Sequence, residues 1–333
     1  MASWQGPVKW GIIGCGDVCE VKSGPALQKT PHSELVAVMR RNGALAEDFA
    51  KRHGVARWYD TAEALIADPE VNAIYIATPP NVHLEYTRMA AAAGKPVYVE
   101  KPMARNYAEC KGMIEACEAA GVPLLVAYYR RRLERFMTVK KWIAAGKIGA
   151  VRAIHINMRQ ASRPQIAKEH QLKNWRVDPA VGGPGGYFMD LASHQLDFLD
   201  DVFGPITQVK GMAANQAQAY EAEDMITAIW QHESGVMGSG SWSFAASESN
   251  TIDEGLVIGN KGLIRFPFFG KAWVEYEGEA GQERVEMERP AHVQQPLIET
   301  VVAHIRETGT CPSTGHSGAR TNWVIDQIFK GEG

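Results

Sequence analysis

The chain has 333 residues, 45% hydrophobic and 22% charged, with a formal net charge of -3. That composition is close to the globular average and excludes gross disorder, and the absence of a basic surplus argues against a general nucleic-acid binder. No run approaches the roughly 18 apolar residues of a membrane span, Met1 to Lys9 lacks the regions of a signal peptide, and five irregularly spaced cysteines do not make a disulfide framework. A cytoplasmic protein of two domains is expected, at about 150 residues per domain.

In chain order, short apolar runs predict strands at Val8–Ile13, Leu35–Met39, Ala73–Ala77, Pro96–Val99 and Val122–Val126. Between them Ala44–His53, Asn81–Ala93 and Tyr107–Ala120 read as helices. Continuous apolar strands separated by helices indicate a parallel sheet covered on both faces. Gly94 and Gly121 stand where two of these helices end and positive φ is needed. Beyond about residue 124 the pattern changes. A helix at Thr138–Ala145 precedes strand-like runs at Val151–Met158, Ile206–Met212, Met225–Gln231, Val236–Trp242, Leu256–Ile258 and Leu263–Phe266, punctuated by Gly-containing turns. Helices at Pro296–Glu307 and His316–Phe329 close the chain. The expected division is 1–123 and 124–333, with a mainly antiparallel sheet in the second part.

The first strand leads directly into Gly14-Cys15-Gly16-Asp17-Val18-Cys19. Gly14 permits a tight turn, and Gly16 lets backbone N–H groups of the Asp17-Val18 turn approach a pyrophosphate. Cys19 replaces the third glycine of the GxGxxG fingerprint. Pro25 predicts a short first turn, with the main helix starting near Gly24-Pro25. The second strand ends in Met39-Arg40-Arg41-Asn42, without the acid that grips a ribose 2′-hydroxyl. Arg40 or Arg41 can pair with a 2′-phosphate, so NADP(H) is expected in preference to NAD(H).

Two further clusters carry chemistry. Glu100-Lys101-Pro102 ends the strand at Pro96–Val99, at the sheet edge where open α/β sheets bind ligands. Pro102 biases Lys101 toward extended backbone. A glycine-rich stretch, Gly182 to Gly186, leads into a helix where Asp190, His194 and Asp197 share one face. A carboxylate beside a histidine can orient it and raise its basicity. No further His or Cys stands at ligand spacing, so no metal is expected.

These motifs together resemble the Gfo/Idh/MocA oxidoreductases. Ala77-Thr78-Pro79-Pro80-Asn81-Val82-His83 is similar to that family's loop along the cofactor, and Trp175-Arg176-Val177-Asp178-Pro179 to its segment near the nicotinamide. Lys147-Ile148-Gly149 and Gly315 to Arg320 also fit. Arg130-Arg131-Arg132-Leu133-Glu134 departs from the family's Arg-Arg-Phe-x-Pro.

The resemblance implies an N-terminal Rossmann dinucleotide-binding domain and a C-terminal α+β domain with a large open sheet. It implies cofactor contacts from Gly14, Gly16, Asp17, Val18, Arg40, Arg41, Thr78, Pro79, Asn81, His83, Glu100, Lys101, Trp175 and Arg176. Lys101, Asp190 and His194 are expected to meet at the nicotinamide. Alcohol oxidation needs a group to take the hydroxyl proton and a donor to steady the developing alkoxide. Histidine has an ordinary pKa of about 6.5. A lysine beside the positive nicotinamide of an oxidised cofactor loses its proton more readily, so either group can carry it.

The implied substrate is a sugar, cyclic polyol or related hydroxy compound. A catalytically silent sensor of the same fold and a reductase of aromatic dihydrodiol substrates, lined by Trp175, Tyr128 and Tyr187, are the competing readings. An apolar face on the second sheet would call for burial, which predicts a homodimer or homotetramer through that sheet.

Overall fold

The computed structural model describes residues 4, 6–161 and 174–331. They form two compact units, one built from residues up to Arg132 together with Pro290–Ala319, the other from Leu133–Arg289 with Arg320 onward. The first unit therefore reaches beyond residue 123 and takes in a return segment that the sequence pattern assigns to the second domain. Backbone pairing explains this. The Val126 N–H donates to the Ser313 carbonyl at 3.0 Å, and the Ser313 hydroxyl donates to the Val126 carbonyl at 2.7 Å.

The first sheet contains β1 (Val8–Ile13), β2 (Ser33–Met39), β3 (Arg57–Tyr59), β4 (Ala73–Ile76), β5 (Val97–Val99) and β6 (Leu124–Val126) in the order β3-β2-β1-β4-β5-β6. Every neighbouring pair is parallel. Helices α1 (Gly24–Lys29), α2 (Gly43–His53), α3 (Ala62–Ala67), α4 (His83–Ala92) and α5 (Tyr107–Ala120) alternate with the strands, and β4, β5 and β6 are buried throughout. Local chemistry sets the helix ends. Asn106 caps α5 by accepting the Glu109 N–H at 2.9 Å, and Gly121 ends it in the left-handed region. The strand order reverses between β1 and β4, which opens a crevice at their carboxyl ends.

The turn after β1 enters one π-helical turn, Cys19–Ser23, before α1. Pro25 falls in the first turn of α1, where its missing N–H costs nothing. The expected late start of the main helix is what the chain adopts.

In the second unit α6 (Glu134–Ala144) is followed by β7 (Val151–Ala161), α7 (Tyr187–Phe203), β8 (Ile206–Ala214), β9 (Met225–His232), β10 (Met237–Ala246), β11 (Ile252–Gly259), β12 (Gly262–Phe266), β13 (Trp273–Gly278) and β14 (Gly281–Glu286). The sheet order is β14-β13-β12-β11-β7-β10-β9-β8, antiparallel except for the parallel pair β7–β10. Phe188, Met189, Ala192, Leu196, Phe198 and Leu199 of α7 are buried in a core shared with Phe136, Phe266 and Phe268. Phe136 and Phe198 meet edge to face at 4.8 Å. The chain ends in α8 (Gln295–Ile305), in the first unit, and α9 (Gly315–Lys330).

The outer face of this second sheet differs from the continuous apolar surface expected. Met212, Ile229 and Met237 are exposed on it, but Ser239 pairs with Ile229, Ser241 with Thr227, and His155 hydrogen-bonds Ser239 at 2.7 Å. Apolar and polar side chains are interspersed along the strands. Among the described residues, no helix is long and apolar enough to cross a membrane.

Candidate active site

The turn after β1 is pinned to the next strand, since the N–H groups of Gly14 and Cys15 donate to the Met39 carbonyl at 2.9 and 3.1 Å. Gly14 has φ +91°, and a Cβ there would lie 2.6 Å from Thr78 Cγ2. The residue must be glycine for the turns after β1 and β4 to lie against each other. Gly16 is a different case. Its φ is not positive, and a Cβ would meet nothing nearer than 3.9 Å. Packing within the unit does not demand glycine at 16; the open space that it leaves beside the turn suits a bound phosphate. Thr78 Oγ1 is buried and has no hydrogen-bond partner among the described residues, an orphan that a bound polar group would satisfy. These residues fit a dinucleotide. Asp17 is exposed and Val18 half-buried at the start of the following helix.

Arg40 and Arg41 follow β2, Arg40 half-buried and Arg41 exposed. The Arg40 N–H donates to the Tyr59 carbonyl at 3.2 Å. Pro79 and Asn81 flank the turn that enters α4, Pro79 half-buried and Asn81 exposed. His83, expected along the cofactor, is instead fully buried, with Nδ1 3.0 Å from the Met103 carbonyl and Nε2 2.8 Å from the Thr78 carbonyl. Burial holds its pKa below the ordinary value. Its ring lies between the loop after β4 and the loop after β5, with each nitrogen against a carbonyl and neither facing a ligand.

Glu100 and Lys101 follow β5 at the same sheet edge. Glu100 is 6% exposed. Its carboxylate accepts from the Tyr75 hydroxyl at 2.6 Å, the Gln294 amide at 2.6 Å and the Lys101 N–H at 3.1 Å. Burial and then the Glu100 charge push the Tyr75 phenol well above its ordinary value, so it remains a donor. Lys101 is half-buried, and the Lys101–Pro102 peptide is cis. Tyr129, buried in the single 3-10 turn that follows the neighbouring strand β6, senses it. Burial pushes that phenol up, but Arg130, Lys101 and Lys22 together bring it below its ordinary value.

In the second unit, Gly182 lets the glycine-rich approach fold onto the Trp175–Val177 turn; a Cβ there would lie 2.8 Å from the Trp175 carbonyl. The turn carries Arg176, whose guanidinium lies over the Trp175 ring at 4.5 Å and donates from Nε to Asp190 Oδ2 at 3.1 Å. Asn174 donates to the Tyr187 hydroxyl at 2.9 Å. Tyr187, Asp190 and His194 succeed one another on one face of α7. His194 is 2% exposed, its ring 6.3 Å from that of Phe269, and Asp197 is fully buried.

Sequence reasoning missed Phe269. Its loop is held from both sides, by Asp253 accepting the Phe268 and Phe269 N–H groups and by Arg135 donating to the carbonyls of Phe268, Phe269 and Lys271. The Phe268-Phe269-Gly270 turn was the available signal. Gln294 was missed too, and nothing local marks it. Among the described residues, no cluster of His, Cys, Asp or Glu could hold a metal ion.

Residues 8–128 match the family described as oxidoreductase family, NAD-binding Rossmann fold, and residues 136–265 match the GFO/IDH/MocA C-terminal domain. Oxidoreductase P35 of Formosa agariphila is 39% identical over 97% of this chain and 98% of its own length. The trans-1,2-dihydrobenzene-1,2-diol dehydrogenase of Bos taurus is 30% identical over 78% of this chain and 73% of its own. Among solved structures, levoglucosan dehydrogenase with NADH and levoglucosan superposes with a TM-score of 0.84 at 21% identity, covering 97% and 96% of the two chains. A putative NADPH-dependent oxidoreductase from Desulfitobacterium hafniense gives 0.85 at 23% identity, covering 98% and 96%. With the glycine turn, the Glu-Lys-Pro edge and the Asp-x-x-x-His helix folded as described, the chain belongs to the Gfo/Idh/MocA family of oxidoreductases.

Proposed function

We propose that this oxidoreductase is NADP(H)-dependent and interconverts a carbinol and a carbonyl on a sugar, cyclic polyol or related hydroxy compound. The observation that carries the reading is that Lys101, Asp190 and His194 are all present, Lys101 on a loop anchored by a buried carboxylate and the other two on one helix face. A silent sensor has no use for that set.

The Gly14–Gly16 turn with the backbone of Asp17 and Val18 would hold the pyrophosphate, Arg40 and Arg41 the 2′-phosphate, and Thr78, Pro79, Asn81, Glu100 and Lys101 the remainder. Among the described residues, neither Arg40 nor Arg41 has an ion-pair partner, which leaves both guanidinium groups available to a phosphate. Bound nicotinamide supplies the hydride acceptor for oxidation or the donor for reduction. Lys101 Nζ donates a hydrogen bond to the substrate oxygen and steadies its charge, and Lys101 and His194 are the two groups able to take the hydroxyl proton. Asp190 accepts from a substrate hydroxyl. The pairing of Arg176 with Asp190 supports a role for Arg176 in aiming that carboxylate, with Trp175 fixing the guanidinium plane.

A substrate with an aromatic or cyclohexadiene ring is the second reading, favoured by the Phe269 ring beside His194 and by the dihydrodiol dehydrogenase relatives. The purified protein should reduce NADP⁺ with members of a sugar and polyol panel, and Lys101→Met should stay folded, bind NADPH and lose most turnover. Turnover of dihydrodiols alone establishes the second reading. Substantial activity in Lys101→Met removes the lysine from the mechanism.

A further inference from the structure

The network around Glu100 reaches farther than one carboxylate requires. Tyr75, Tyr98 and Gln294 are all fully buried. The Tyr98 hydroxyl donates to Gln294 Oε1 at 3.3 Å, and the Gln294 amide donates to Glu100 Oε1 at 2.6 Å. This order fixes the amide's orientation. The opposite flip would set an amide oxygen against a carboxylate oxygen and oppose the Tyr98 hydroxyl with an NH₂ group. The Tyr75 and Tyr98 rings stack at 5.1 Å, which holds both hydroxyls in place. Tyr75 and Gln294 thus both donate to the same oxygen of Glu100, and the other oxygen, Oε2, receives the Lys101 N–H. A buried charge is tolerated only when hydrogen-bonded, and two donors converging on one oxygen set the plane of the carboxylate.

We propose that Gln294 and Tyr75 are positioning residues for Lys101, acting through Glu100 to fix the backbone from which the lysine side chain departs. The inference rests on the proposed role of Lys101. It makes the return segment beginning at Pro290 part of the machinery, although Gln294 lies 194 residues from Glu100 in sequence. Lys101 acts on Tyr129 together with Arg130, Lys22 and Glu100, and neither Gln294→Met nor Tyr75→Phe replaces any of these charged side chains.

The test uses full-length protein. Gln294→Met keeps the side chain's length and removes its donor; Tyr75→Phe removes one hydroxyl and is the milder change should the first fail to fold. Hydrogen exchange read by mass spectrometry should show the Glu100–Arg105 loop exchanging roughly tenfold faster in either variant, with or without NADPH, as a lost hydrogen bond to a charged group predicts. On whichever substrate the wild type turns over, kcat should fall about tenfold while KM changes little. In a Lys101→Met background neither substitution should reduce the residual kcat further, because the group they position is gone. Unchanged loop exchange and kcat in Tyr75→Phe and in folded Gln294→Met overturn the inference. Losses that persist in full in the Lys101→Met background also overturn it, since they mark a purely structural role. Should Lys101→Met itself retain turnover, the proposed function of Lys101 fails instead, and the exchange measurement still decides whether Gln294 and Tyr75 hold the loop.

Discussion

Two arginines at the end of β2 carry the proposed choice of cofactor. A guanidinium pairs bidentately with a phosphate, and a carboxylate in its place repels one. Arg40→Asp should therefore weaken NADPH binding about ten- to a hundredfold while NADH binding holds or improves, measured by fluorescence titration. Equal affinity of the wild type for both cofactors would remove the preference. At this scale the proposed site residues that the sequence marks are those with a local signal: Gly14 and Gly16 after a strand, Lys101 before a proline, Asp190 and His194 one helical turn apart. His83 shows the limit. Its place at the start of α4, just beyond the loop after β4, was readable, but its burial between the Thr78 and Met103 carbonyls depends on how two loops meet. Gln294 is the stronger case, because its meaning lies wholly in a partner on β5's loop.

Elements of the first unit are tied by a charged cluster that makes stability respond to acid. Glu20, in the π-helical turn before α1, accepts from Arg52 Nη1 and Nη2 at 2.7 and 2.8 Å and lies 2.8 Å from His53 Nε2, both residues being on α2. Hydrogen bonds from Arg52, then from His53, lower its pKa from 4.5 to about 2. A carboxyl with a depressed pKa contributes stability above its unfolded value and loses it as pH falls through the folded one. Glu20→Gln should lower the urea midpoint at neutral pH, and the gap from wild type should close as pH falls from about 4.5 to about 2. Glu20 and Arg52 are one-third to one-half exposed, so the difference at neutral pH should be modest and shrink in salt. Among elements, sequence pattern located the long buried strands and capped helices to within a few residues. It missed β3, which has only three residues, the six-residue α3, and the hairpin β13–β14. Gly281–Glu286 is almost wholly exposed at the edge of its sheet, so no apolar alternation betrays it.

For the whole molecule, the proposed homo-oligomer rests on Met212, Ile229 and Met237, which are 81%, 55% and 57% exposed on the outer face of the second sheet. Charge at the middle of such a patch opposes its burial against a second copy. The wild type should sediment as a dimer or tetramer, and Ile229→Lys should sediment as a monomer with unchanged circular dichroism; a monomeric wild type ends the proposal. The two-unit division was legible because the grammar of elements changes near residue 124, but the return of Pro290–Ala319 to the first unit was not, since its ties to Val126 and Glu100 span more than 180 residues. That return governs the order in which a nascent chain can mature. A ribosome that has released residues up to Arg132 has delivered all six strands of the first sheet, yet neither Gln294 nor Ser313. Domains generally fold in turn as they emerge. Here Glu100 lacks its Gln294 donor and Val126 of β6 lacks its bonds to Ser313 until the second unit's sheet has been synthesised, so the first domain begun is completed only near the end of translation.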